Sequence, residues 1–195
     1  MSYKTGENKR EGRLIIISAP SGTGKTTVCE RLLKLLPNAL RSISYTTRPM
    51  RSEEVDGVSY FFVSEERFED LKRQGALAEW AVVHGSQYGT SVEFVQRALK
   101  QGQDVLFNID VQGARQLKRK FPQAITIFLL PPSMEELERR LRGRRTESEE
   151  ALKIRLQRAE KEMAEADNYD SVVTNDSLER AVNKILVLLE KKAHS

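Results

Sequence analysis

The apolar run Leu14-Ile15-Ile16-Ile17 leads directly into Ser18-Ala19-Pro20-Ser21-Gly22-Thr23-Gly24-Lys25-Thr26-Thr27, and this junction constrains the fold more than any other part of the chain. An isoleucine-rich run of this length reads as a buried strand. The glycines that follow let successive backbone N–H groups converge on phosphate oxygens, Lys25 adds a point charge, and the Thr26 hydroxyl suits a magnesium ion. Val28, Leu32, Leu33 and Leu36 then mark the apolar face of a helix that Pro37 ends. Its N-terminus would aim the helix dipole at the same anion. The phosphate-loop pattern wants Gly where Ala19 stands, and alanine is the mildest such change. A plain turn between strand and helix would explain the glycines but has no use for Lys25 and Thr26 together.

A chain of 195 residues can bury one good core carrying mobile inserts. The formal net charge of +4 is too small to call for a nucleic-acid partner, though a mild basic excess suits small polyanions. Cys29, the single cysteine, excludes an internal disulfide framework and points to a reducing cytoplasmic compartment. The longest apolar run after the first strand, Ala124 to Leu130, stops at Pro131-Pro132, so no membrane span is expected. Residues 1–12 are polar, have no signal-peptide apolar region, and are expected to form a loose arm.

Further strands are predicted at Ser42–Thr46, Ser59–Val63, Ala76–Val83, Asp104–Ile109, Ala124–Leu130 and Ser171–Thr174. Helices are predicted over Glu65–Gln74, from about Ser91 to Lys100, after Gly113 and over Leu178–Leu189. Capping-box starts at Ser133-x-x-Glu136, Thr146-x-x-Glu149 and Asp176-x-x-Glu179 open three late helices, and Thr90-x-x-Glu93 has the same form. A basic turn, Leu141 to Arg145, lies between two of them and could swing as a lid. Alternating strands and helices imply an α/β fold with a doubly wound parallel sheet and ligands at its carboxyl edge. The stretch from Ser42 to Thr90 reads as a small α+β subdomain inserted into it.

Five separated segments then carry a resemblance: Ser42–Arg51, Glu54–Val63, Glu79–Thr90, Ile109–Gly113 and Arg140–Glu150. Together, in this order and spacing, they resemble guanylate kinase, and the likeness runs from about Arg13 to the final helix. The resemblance implies a P-loop NTPase-type core (13–41, 91–133 and 156–192), a GMP-binding insert (42–90) and a helical lid (134–155). It also implies transfer of the ATP γ-phosphoryl group to GMP, with dGMP as a further acceptor and magnesium as cofactor. Neither nucleic acid nor a membrane is implied as a partner.

On this resemblance, ATP is bound by residues 19–27 with Arg140 and Asn175, and Thr26 meets the metal. Ser44, Arg48, Arg51, Tyr60, Glu79, Tyr88, Thr90 and Asp110 hold GMP. Guanine presents two adjacent donors where adenine presents a bare acceptor, so one carboxylate, Glu79, can hold guanine in bidentate fashion and repel adenine. Ser44 and Thr90 are assigned to the base, Thr90 standing where the family often has Ser. Arg48, Arg51, Tyr60 and Tyr88 are assigned to the 5′-phosphate, a dianion that guanidinium forks and phenol donors match. Lys25, Arg48, Arg140, Arg144 and Arg155 are assigned to the transferring phosphoryl group, whose charge spreads over equatorial oxygens. Asp110 is assigned to orienting GMP or a magnesium-bound water, whereas Asn108 carries an amide where the family pattern has Asp.

Two other readings compete: a nucleoside monophosphate kinase with another acceptor base, and a non-catalytic guanylate-kinase-like module that binds phosphopeptides. Glu79 argues against the first, and Lys25, Thr26 and the lid arginines argue against the second. The guanine-reading motif of P-loop GTPases is not found. His84 and His194 read as surface residues.

Overall fold

The computed structural model describes residues 10–83, 85–143 and 148–192. In chain order its elements are β1 (Leu14–Ser18), α1 (Lys25–Leu35), β2 (Ala39–Arg41), β3 (Ser44–Thr46), β4 (Phe61–Phe62), α2 (Glu65–Arg73), β5 (Leu77–Val83), β6 (Ser86–Ser91), α3 (Val92–Lys100), β7 (Asp104–Asn108), α4 (Val111–Lys120), β8 (Ile125–Leu130), α5 (Met134–Arg142), α6 (Glu149–Met163), β9 (Ser171–Thr174) and α7 (Leu178–Lys191). A short 3-10 turn over Ala166–Asn168 precedes β9.

Every residue of β1 is buried, and its side chains divide between two cores. Ile15 and Ile17 pack with Leu32 of α1 and Val182, Ile185 and Leu189 of α7. Leu14 and Ile16 pack with Val95 of α3, Phe107 of β7 and Leu117 of α4. Alternation along a strand with apolar residues on both faces makes β1 the centre of a sheet covered on both sides. The sheet order is β2-β7-β1-β8-β9 and every pairing is parallel. This is the doubly wound α/β architecture, and it puts the loops after β1 and β7 at one carboxyl edge.

A second sheet, β4-β3-β6-β5, pairs β3 with β4 in parallel and β6 with both β3 and β5 in antiparallel fashion. Phe68 and Leu71 of α2 bury against Leu77 to give it its own small core. Leu137 and Leu141 of α5 pack with Leu152 and Ala159 of α6 in another.

Several elements differ from the sequence expectation. The strand expected at Ser42–Thr46 begins at Ser44, because the Ser42 N–H still bonds Leu106 of the core sheet. The one expected at Ser59–Val63 shrinks to Phe61–Phe62, with the Phe62 N–H taken by the Asp56 carboxylate. The helix expected after Gly113 starts at Val111, since Asp110 caps it by accepting from the Gly113 N–H at 2.9 Å. Ser177 rather than Asp176 caps α7, and Ser91 rather than Thr90 caps α3. Ser148 caps α6, while Thr146 lies outside the described residues, as do His84 and His194. No helix among the described residues is long and apolar enough to cross a membrane.

The arm expected to be loose over residues 1–12 is held from Arg10 onward. Gly12 donates its N–H to Leu99, and Arg10 pairs with Asp104 at 3.2 Å. Arg13 grips the same carboxylate through its guanidinium at 2.6 Å and its backbone N–H at 2.7 Å. Asp104 is buried, so its removal takes from the half-buried Arg13 guanidinium every partner but the Leu189 carbonyl. Asp104→Ala is expected to cost about 3 kcal/mol. Thermal melting should show this as a drop of about 6–12 °C.

Candidate active site

The loop between β1 and α1 is a phosphate cradle by geometry. Gly22 and Gly24 take φ of 90° and 93°, a region that side chains rarely adopt, and both are closely packed. A Cβ on Gly22 would lie 2.7 Å from Leu141 of α5, and one on Gly24 would lie 2.7 Å from the Asn175 amide. The other α-helices each start with a side-chain cap, whereas Gly24 offers α1 none and its first turn holds no acidic residue. Its first N–H groups are thus positioned for an anion.

Lys25 Nζ donates to the Ile109 carbonyl at 2.7 Å across the end of β7. Burial holds its pKa below the ordinary 10.5, with Cys29, Asp110 and Glu162 pulling the other way. Asn108 Nδ2 donates to Thr26 Oγ1 at 3.3 Å. A cavity of about 300 Å³ opens over the loop and is lined also by Asp110, Arg155, Arg158 and Glu162.

Two predicted arginines touch this loop. Arg140 donates to the Thr23 carbonyl at 3.1 Å and the Asn175 carbonyl at 3.2 Å, while Glu136 accepts from its Nε at 2.7 Å. Asn175, buried, donates its amide to the Thr23 carbonyl at 2.7 Å. Its side chain therefore fastens the loop. Arg155 reaches Ser21 Oγ at 2.6 Å. Arg144 lies outside the described residues.

On the second sheet, pairing register brings three predicted residues into one row. Ser44 lies opposite Thr90 and Thr90 opposite Glu79. The second pairing depends on a register shift between Leu77 and Glu79, the kind of irregularity that re-aims side chains. Thr90 Oγ1 donates to Glu79 Oε1 at 2.9 Å, so Ser44, 3.2 Å from Thr90, is the donor of that pair. Glu79 is 4% exposed. Burial pushes its carboxyl up to about 7, against the opposing Thr90 hydrogen bond and with a smaller push from Asp110.

A cluster of one guanidinium, its carboxylate partner and two phenols lies beside the row. Arg48 donates to Glu54 at 2.7 Å and Tyr88 Oη at 3.3 Å, and its guanidinium stands 5.5 Å from the Tyr60 ring centroid. Tyr60 and Tyr88 meet edge to face at 5.8 Å. Arg51 is exposed, and its backbone N–H, not its guanidinium, joins the cluster by donating to Glu54 at 2.9 Å. A phosphate cradle and a buried carboxylate flanked by paired phenols and a guanidinium fit a donor and an acceptor nucleotide.

The family model described as guanylate kinase matches residues 11–192. The chain belongs to the guanylate kinase family. A guanylate kinase of Syntrophotalea carbinolica is 51% identical over 184 residues, 93% of this chain and 88% of that protein. One from Chlorobium luteolum is 47% identical over 184 residues, 94% and 93% of the respective chains. The crystal structure of guanylate kinase from Anaplasma phagocytophilum has a TM-score of 0.76 at 32% identity, over 94% of this chain and 87% of that one. A shikimate kinase from Bacteroides thetaiotaomicron, with a TM-score of 0.50 at 19% identity, shares the fold alone.

Within this site, sequence reasoning missed four residues. Glu54 fixes Arg48, and only its spacing from Arg51 hinted at it. Gln116 bonds the backbone of Trp80, next to Glu79, through both ends of its amide. Arg158 and Glu162 pair at 3.0 Å on the rim of the phosphate cavity. Their i,i+4 spacing on a charged helix resembles ordinary surface pairing, so no local signal marked them.

Proposed function

We propose that this member of the family works by bringing two anion cradles together: it transfers the γ-phosphoryl group of ATP to GMP, and to dGMP, giving ADP and a guanosine diphosphate. The observation that carries the acceptor is the buried Glu79, held by Thr90 in the row with Ser44. Its two oxygens match guanine N1–H and the 2-amino group. Segment 42–90 holds the acceptor, and segment 134–155 closes over the core as a lid.

No catalytic base is required, because the attacking oxygen already belongs to an ionised phosphate. Catalysis reduces to in-line positioning and neutralisation of charge on the transferring group. Lys25 and the N-terminal N–H groups of α1 hold the donor phosphates. Arg155 approaches the transferring group on closure, and the family resemblance assigns Arg144 to the same group. Arg140 steadies the loop from the Thr23 side, and Arg48, Tyr60 and Tyr88 receive the acceptor phosphate. Arg51 joins them by rotating its exposed side chain.

Magnesium fits the donors present. Thr26 lines the cavity, and a hard oxygen ligand such as its hydroxyl suits this ion. No cluster of His, Cys, Asp and Glu among the described residues could hold a metal, so the ion would rest on Thr26 and nucleotide phosphates. When bound it supplies charge neutralisation. Asn108, 3.3 Å from Thr26 Oγ1, is a weaker supporter than a carboxylate would be. Asn108→Asp is expected to lower the magnesium concentration for half-maximal rate without loss of kcat; a severalfold fall in kcat at saturating magnesium would contradict this.

Acidity of Glu79 predicts a pH dependence. Both guanine donors need acceptor oxygens, and the protonated carboxyl surrenders one of them. Since the carboxyl titrates near 7, KM for GMP should fall roughly tenfold from about pH 6 to about pH 8. Glu79→Gln should abolish that step and leave only the titration of the GMP phosphate.

The experiment that tests the proposal is a panel of GMP, dGMP, AMP, CMP and UMP, each with ATP and magnesium. ADP should form rapidly with the two guanine nucleotides alone. Equal rates with AMP and GMP would overturn the acceptor assignment.

A further inference from the structure

The contact between α4 and β5 joins the core to the acceptor sheet at the residue that reads guanine. β5 is the edge strand of its sheet, so half of its backbone groups face away from β6. Gln116 of α4 meets them as a neighbouring strand would: its Oε1 accepts from the Trp80 N–H at 3.0 Å and its Nε2 donates to the Trp80 carbonyl at 2.7 Å. Lys120, one turn on, donates to the Leu77 carbonyl at 3.0 Å. One turn earlier on the same face, Gly113 is buried beneath the Glu79 side chain. A Cβ there would lie 3.0 Å from Glu79 Oε2 and 3.3 Å from Ile109 Cδ1. That is closer than a carbon and a carboxylate oxygen settle, and backbone holds the helix end in place because Asp110 caps it through the Gly113 N–H.

We propose that Gly113 and Gln116 are positioning residues for guanine selection: the amide pins the backbone beside Glu79, and the missing side chain leaves the space its second oxygen occupies. Thr90 holds Oε1, so Oε2 is the oxygen whose place α4 decides. Nothing in the helix itself asks for glycine at this point, since glycine is among the poorest helix formers and its φ here is not in the left-handed region. The inference rests on the reading of Glu79 as the guanine ligand.

The test compares kcat/KM for GMP with that for IMP, which lacks the 2-amino group and so reports whether both carboxylate oxygens are in place. The wild-type protein, Gly113→Ala, Gln116→Ala and Gln116→Glu are assayed, with KM for ATP and the melting temperature measured alongside. Gly113→Ala should reduce the GMP preference roughly tenfold through a rise in KM for GMP, with KM for ATP unchanged. Gln116→Ala should reduce the preference too, and Gln116→Glu, which keeps the acceptor but loses the donor, should fall between. An unchanged GMP-to-IMP ratio in both alanine variants would overturn the inference while leaving the Glu79 reading intact. So would a loss shared equally by ATP and GMP, the mark of general loosening. A wild-type protein that does not prefer GMP to IMP would overturn both.

Discussion

Lys25→Met is expected to lower kcat by roughly 10²–10³ while leaving the fold unchanged. The side chains are similar in length, so packing survives and the loss is one charge aimed at the donor phosphates. Lys25 Nζ sits 2.7 Å from the Ile109 carbonyl, and burial already lowers its pKa. The carbonyl that holds it is therefore a resting partner, and a triphosphate polyanion offers a far better one. Uniform binding would appear in KM alone, whereas an interaction that grows as charge builds on the transferring group appears in kcat. Single-turnover rates with saturating ATP and GMP separate the two. A fall of less than about tenfold would move the phosphate contact from Lys25 to the backbone cradle.

Glu79→Gln should cost roughly 10²–10³ in kcat/KM for GMP and little in KM for ATP. The amide keeps one acceptor but turns a donor toward a base edge that already presents two. It also lessens the repulsion of adenine, so the GMP-to-AMP ratio should collapse further than the GMP rate alone. The same change should stabilise the protein at alkaline pH. The folded carboxyl titrates above its ordinary value, so its favourable contribution is present below about 4.5 and is lost as pH rises through about 7. At about pH 8 wild-type Glu79 is buried and charged, and Gln removes that cost while still accepting from Thr90. Higher melting temperature together with lost guanine selectivity is the paired outcome to measure. Retained selectivity would place guanine recognition elsewhere.

What the sequence made legible follows its local signals. β1, the phosphate loop and α1 declare themselves because an Ile run, paired glycines and an apolar helical face lie end to end. The Ser64 and Ser133 caps, each accepting from an N–H three residues on, were equally readable. β6 was not, since Ser86-Gln87-Tyr88-Gly89-Thr90-Ser91 lacks apolar alternation and is a strand only because β3 and β5 flank it. β2 is a three-residue edge strand, too short to show a period. In the site, Glu79 and Thr90 could be named, but their contact depends on the register shift in β5, which no spacing announces. Glu54 and Gln116 act through other residues: Glu54 opens one of the family-like segments, but nothing there marks its contact with Arg48, and Gln116 carries no motif of its own.

The central claim is that a triphosphate cradle and a guanine-reading carboxylate serve one reaction, and a crystal structure with GMP and a non-hydrolysable ATP analogue tests it most directly. The guanine edge should lie within hydrogen-bonding distance of both Glu79 oxygens, the 5′-phosphate among Arg48, Arg51, Tyr60 and Tyr88, and the triphosphate over residues 19–27. GMP bound away from Glu79 would contradict the account.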